Sequence, residues 1–273
     1  MFDAEPEEGS PASRLRNQRM RRGVYILPSM FTVGNLFCGY YAILATLRGN
    51  ITDMDNAARA IGIAILFDAL DGRVARITGT SSEFGKQFDS LADVISFGIA
   101  PAFLAFAWGV RGVLASDIPQ ARHVYQIGWL VSFVFVICCA WRLARFNIHG
   151  MAPGGSRFFV GMPTPAAAGM IAAMVHGVWW PIEDWRVAIL WQVLVLALAA
   201  LMSSTIRYYS FKDINWHRRQ PSLTVVALAL LIAGFWTYSE ITLLLLAGSY
   251  TLSGLVIQLV RVVRHRHTAS HPA

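Results

Sequence analysis

The chain has 273 residues, 55% of them hydrophobic and only 14% charged, and its mean hydropathy is positive. That is the composition of a membrane protein rather than of a soluble domain. The net charge of +7 is carried by residues flanking apolar segments, so it reads as a topology signal, and no nucleic-acid partner is expected.

Residues 1–23 differ from the rest. Glu5, Glu7 and Glu8 are followed by Arg14, Arg16, Arg19, Arg21 and Arg22, without the apolar core and small-residue cleavage site of a signal peptide. They read as a cytoplasmic basic tail or an interfacial helix on anionic headgroups. Apolar segments then follow at roughly 25–47, 57–77, 84–109, 123–146, 160–180, 185–204, 221–238 and 241–262, each near the ~20 residues that a bilayer core requires. The expected architecture is an all-α, polytopic integral membrane helical bundle of about eight transmembrane helices. One membrane domain spans 24–264 and a short cytoplasmic tail follows over 265–273.

If the spans alternate, all Lys and Arg except Arg48, Arg59, Arg111, Arg122 and Arg186 fall on one side. The positive-inside rule makes that side cytoplasmic. Both termini lie there, as does the loop between the second and third spans. The expected location is the cell membrane. Cys38, Cys138 and Cys139 lie inside spans without ligand-type neighbours and read as packing residues.

Asp68, Asp71, Gly72, Ala75 and Arg76 follow i, i+3, i+4, i+7 and i+8, so two carboxylates, a side-chain-free gap and a guanidinium share one helical face. Gly85, Asp89 and Asp93 form a second stripe. Between them Thr80 and Glu83 have capping-box spacing, which predicts a tight antiparallel helical hairpin on which four carboxylates converge. With Arg76 as the one cation in the first stripe, protein charge is too scarce to pair them all. Ionisable residues at membrane depth are functional by default. Hard oxygen ligands select Mg²⁺, Mn²⁺ or Ca²⁺, and facing carboxylates can bridge two such ions. A metal pair beside an arginine and a glycine opening suits a phosphate.

The pattern D-x-x-D-G-x-x-A-R-x8-G-x-x-x-D-x-x-x-D resembles the signature of the CDP-alcohol phosphotransferases at all of its specified positions. Three further strings, Arg145-Phe-Asn147, Gly161-Met-Pro163-Thr-Pro165 and Arg207-Tyr-Tyr-Ser-Phe211-Lys212, resemble the branch of that family whose acceptor is serine. The resemblance implies transfer of a phosphatidyl group from CDP-diacylglycerol to L-serine within the membrane lipid, by a homodimer. It implies that Asp68, Asp71, Asp89 and Asp93 hold two divalent ions, Mg²⁺ or Mn²⁺, and that Asp93 is also the general base. Gly72 and Gly85 would let the nucleotide approach, and Arg76 and Ser82 would contact its phosphate and cytidine. Asn35, in an apolar run, must bond either a neighbouring helix or the nucleotide. Arg142, Arg145 and Arg207 are candidates for the serine carboxylate, unranked by sequence. Pro101 is expected to kink the third span. Relatives using choline or glycerol phosphate, and a metal-ion or lipid transporter, are the alternatives. A transporter would distribute ionisable groups through the bilayer, whereas these cluster in one hairpin.

Overall fold

The computed structural model describes residues 11–78, 82–115, 119–149, 158–209 and 237–269. All expected spans but one fall on helices: α1 (Pro11–Arg48), α2 (Ile51–Thr78), α3 (Glu83–Asp93) continued by α4 (Ala100–Gly109), α5 (Ala121–His149), α6 (Thr164–Val178), α7 (Trp185–Ser203) and α8 (Ser239–Ala269). The span expected over 221–238 lies almost wholly outside the described residues, and the count of eight depends on it. Met30–Arg48, Glu83–Leu114, Ala121–Ile148 and Trp185–Ser203 are each long and apolar enough to cross a membrane.

Lipid tails are as apolar as leucine, so helices in a bilayer are held by close packing and hydrogen bonds rather than by a hydrophobic drive between them. The pairing of α1 with α2 follows this logic. Ala42 and Ala45 on α1 and Ala57, Ala58, Ala60 and Ala64 on α2 are all buried, so small side chains let the backbones approach. The turn between the two helices is only Gly49 and Asn50, and Gly49 takes φ +77°, a left-handed conformation that favours glycine.

Helix α1 also crosses the third span, and the crossing is unusually tight. A Cβ on Gly39 would lie 2.5 Å from Ser96 Oγ and 2.7 Å from Ser96 Cα. Ser96 Oγ in turn donates to the Asn35 carbonyl at 2.9 Å. At this crossing the third span widens into a π-helical turn, Val94–Ile99, before resuming as α4. Pro101, where a kink is expected, follows closely on this turn. Pro101 falls in the first turn of α4, where a missing N–H is tolerated.

A two-stranded antiparallel ribbon completes the core at the ends of α6 and α7. Strand β1 (Phe158–Val160) pairs with β2 (Arg207–Tyr209), Val160 opposite Arg207. The fifth span was expected from residue 160, but α6 starts at Thr164. Gly161 at φ +79° and Met162 donate to the carbonyls of Ile206 and Leu201 before the helix begins.

About 20 Å along α2 from the motif aspartates, buried Asp55 bonds His176 Nδ1 of α6 and pairs with Arg59 at 2.8 Å. His176 Nε2 meets Ser239 Oγ of α8 at 2.9 Å. The network fastens three helices at that end of the bundle.

The Gly39 crossing generates a paired prediction. Gly39→Ala places a methyl against the Ser96 backbone and is expected to destabilise the detergent-solubilised protein by about 1–3 kcal/mol. Gly62→Ala, where a Cβ meets nothing within 4 Å, is expected to be neutral or slightly stabilising. Thermal denaturation of the two variants beside the parent checks both.

Candidate functional site

Of the four carboxylates expected to converge, three lie together. Asp68 of α2 and Asp89 and Asp93 of α3 each offer a carboxylate oxygen, and the three oxygens lie within 4.8 Å of one another. Asp71, one turn along α2 from Asp68, is buried.

What orients the carboxylates comes from α1. Thr32 Oγ1 donates to Asp71 Oδ2, and Asn35 Nδ2 donates to Asp93 Oδ1 at 3.0 Å. Thr32 and Asn35 are i, i+3 on one face of α1, so a single helical turn holds one aspartate from each stripe. The Asn35 side chain is fully buried, its Nδ2 bonding the neighbouring helix while its Oδ1 has no hydrogen-bond partner among the described residues. The sequence reading did not single out Thr32; a threonine in an apolar helix carries no signal of a partner 39 residues away.

The turn between the stripes is capped differently from expectation. Ser82, not Thr80, is the N-cap of α3, accepting from the Gly85 N–H at 3.0 Å. Glu83 starts the helix and pairs with Lys86 at 2.7 Å. Thr80 lies outside the described residues. With its lone pairs engaged by Gly85, Ser82 still has its own O–H to give. No atom among the described residues stands within 4 Å of where a Gly72 Cβ would be. Packing within the bundle therefore does not require glycine at 72. The side chain of Arg76 lies outside the described residues.

The three arginines that are candidates for the serine carboxylate have different surroundings. Arg145 of α5 donates to the carbonyls of Ser203 (3.2 Å), Val160 (3.2 Å) and Ser204 (3.3 Å), tying its helix to the end of α7 and to the ribbon. Arg142, one turn earlier, is 8% exposed, and its Nε has no hydrogen-bond partner among the described residues. Arg207 sits on β2 opposite Val160, its side chain outside the described residues. Asn147, from the string after Arg145, donates to Ser90 Oγ at 2.9 Å and so braces α3 against α5.

The donor set fits a divalent cation. All the converging ligands are carboxylate oxygens, the preference of hard cations, and Asp89 Oδ1 is buried without a hydrogen-bond partner among the described residues. A buried carboxylate oxygen left unpaired is costly, and a cation is a partner that would satisfy it.

Comparison with known proteins agrees with this geometry. The family model for CDP-alcohol phosphatidyltransferase matches residues 25–204, a range that includes every aspartate of the site. A CDP-diacylglycerol–serine O-phosphatidyltransferase of Helicobacter pylori is 34% identical over 209 residues, covering 76% of this chain and 81% of that protein. A protein of the same name from Mycobacterium leprae is 38% identical over 183 residues, 63% of this chain and 56% of that one. An archaetidylserine synthase of Methanothermobacter thermautotrophicus is 34% identical over 197 residues, 71% and 74% of the two chains. With the family's eight signature positions all in place on a bundle of apolar helices, the chain belongs to the CDP-alcohol phosphatidyltransferase family and is a multi-pass membrane enzyme.

Proposed function

We propose that the chain is a CDP-diacylglycerol–serine O-phosphatidyltransferase. The hydroxyl oxygen of L-serine bonds to the phosphatidyl phosphorus, the bond from that phosphorus to CMP breaks, and CMP leaves with the electron pair. The hydroxyl proton passes to Asp93. The observation that carries the reading is the buried guanidinium of Arg142, whose Nε has no hydrogen-bond partner among the described residues, on α5, the helix that packs against the π-helical turn following Asp93. A serine acceptor needs both a base at its hydroxyl and a cation at its carboxylate. Support comes from the Helicobacter relative, of which the chain covers 81%, and from the archaeal one, an archaetidylserine synthase.

In this reading Asp68, Asp71, Asp89 and Asp93 hold two divalent ions, Mg²⁺ or Mn²⁺. When bound, such ions neutralise charge on the pyrophosphate as its link to CMP breaks. Asn35 keeps Asp93 in one rotamer through Oδ1 and so fixes where the base stands. Gly72 and Gly85 admit the nucleotide, Ser82 and Arg76 contact it, and Arg142 takes the serine carboxylate. Arg145 is a backbone staple. A homodimer and a cytoplasmic active site with cytoplasmic termini belong to the same reading, the dimer on family resemblance and the orientation on the charge asymmetry of the loops.

With CDP-diacylglycerol as donor, labelled serine is expected to be turned over and inositol phosphate, glycerol phosphate and choline are not. Arg142→Lys, which keeps the charge but loses the planar fork, should raise KM for serine about tenfold to a hundredfold, the equivalent of ~1.5–3 kcal/mol for a charge-assisted bond, with KM for CDP-diacylglycerol little changed. Arg145→Lys should lower thermal stability instead. Equal serine KM values in parent and Arg142→Lys would remove Arg142 from the acceptor site.

Chelation by EDTA is expected to abolish transfer and Mg²⁺ or Mn²⁺ to restore it. Asp89→Asn should reduce activity by roughly 100-fold or more and weaken Mn²⁺ binding in calorimetry together. Lost activity at unchanged Mn²⁺ affinity would show that Asp89 is not a ligand.

Orientation is checked in a background with the three native cysteines replaced by alanine. Asn50→Cys is expected to react with an impermeant maleimide on intact cells, and Thr80→Cys only after permeabilisation. The opposite pattern would invert the topology.

A further inference from the structure

Two helices press on the π-helical turn that follows Asp93, and they do so at residues two apart, on nearly opposite sides of it. Ser96 meets α1 at Gly39. Gly98 meets α5, where a Cβ built on it would stand 3.1 Å from Cys139 Sγ and 3.4 Å from Cys139 Cβ. Both Gly98 and Cys139 are buried. Among the described residues the glycines with left-handed backbone are Gly49 and Gly161, so Gly98 serves the close approach it permits and not its own backbone angles.

A second contact joins the same two helices further along. Asn147 Nδ2 donates to Ser90 Oγ at 2.9 Å. Ser90 and Gly98 are eight residues apart, as are Cys139 and Asn147, and the order is reversed, so the helices run antiparallel and both contacts belong to one register. Arg142 lies between them, one turn from Cys139. Interpolated in that register it stands level with Ile95, two residues along from Asp93. The turn of α5 that carries the guanidinium is therefore held against the helix that carries the base from both ends, by a glycine contact on one side and a hydrogen bond on the other.

We propose that Gly98, together with the Ser90–Asn147 bond, is a positioning residue for the acceptor. The missing side chain lets α5 settle on the π turn and so sets how far Arg142 stands from Asp93, the gap that one serine must bridge between its carboxylate and its hydroxyl. That span in serine is fixed by covalent geometry. A displacement of a few tenths of an ångström at Gly98 is then felt as weaker acceptor binding, while the donor, held on the aspartate side, is little affected. The inference rests on the serine reading above and adds to it the two contacts that set the gap.

The test measures KM for serine, KM for CDP-diacylglycerol and Mn²⁺ affinity separately. Gly98→Ala is expected to raise KM for serine roughly threefold to tenfold, with the donor KM within about twofold and Mn²⁺ affinity unchanged. Removing the sulfur that the new Cβ meets should undo this, so that Gly98→Ala combined with Cys139→Ala returns serine KM to within about twofold of Cys139→Ala alone. In an Arg142→Lys background Gly98→Ala should raise serine KM by a smaller factor than in the parent, because it acts through the guanidinium. Asn147→Ala, at an exposed position, is expected to raise serine KM roughly twofold to fourfold, and it decides the matter alone if Gly98→Ala does not fold. An unchanged serine KM in the deciding variant, parallel rises in both KM values, or a loss of thermal stability with neither KM changed overturns the proposal and makes Gly98 a packing residue. If Arg142→Lys still raises serine KM in that case, the serine reading stands. If Arg142→Lys is also silent, carboxylate recognition by Arg142 falls with it.

Discussion

Carboxylates whose oxygens lie within 4.8 Å of one another, in a bundle whose exterior is lipid, repel strongly because little water is present to screen them. The fold must hold them in place by something other than their own charge. It does so from α1, a helix that carries none of the motif. Thr32 restrains Asp71 and Asn35 restrains Asp93, one residue for each stripe. Since hydrogen bonds to charged groups are worth about 1.5–3 kcal/mol each, two of them offset a substantial part of the repulsion. They also fix the rotamers that a bound cation would meet.

That arrangement explains why α1 approaches the third span so closely. For Asn35 to reach Asp93, the backbones must nearly touch one turn further on, and they do so at Gly39 and Ser96. Ser96 then returns a hydrogen bond to the Asn35 carbonyl, so the residue is held by both its side chain and its main chain. The π turn over Val94–Ile99 begins directly after Asp93. Its extra residue per turn re-aims the helix between the aspartates and the apolar segment that follows. The restraint, the glycine crossing and the change of helical pitch are parts of one solution.

The helices and the carboxylate cluster were legible in the sequence because both obey short periods. Apolar runs near bilayer length mark spans, and spacings of three and four place Asp68 with Asp71 and Asp89 with Asp93. What escaped depends on partners distant in sequence. Arg142 and Arg145 look alike at i, i+3 on the end of one span, and only the convergence of the Val160, Ser203 and Ser204 carbonyls makes one of them a staple. Asp55 and His176, 121 residues apart, pair across two helices. The cap was misplaced for a local reason. Thr80 and Ser82 are both competent caps, and the choice of Ser82 is decided by where the third span starts.

The staple has a consequence for the acceptor side. Arg145 bonds Val160 in β1, and Val160 is the register partner of Arg207 in β2. Its i, i+3 neighbour Arg142 is thus one helical turn from a residue that fixes the ribbon. Arg145 ties the end of α5 to the end of α7 and to the ribbon through three backbone carbonyls, so the turn of α5 that carries Arg142 is held by bonds to the main chain of two other elements rather than left to a free helix end.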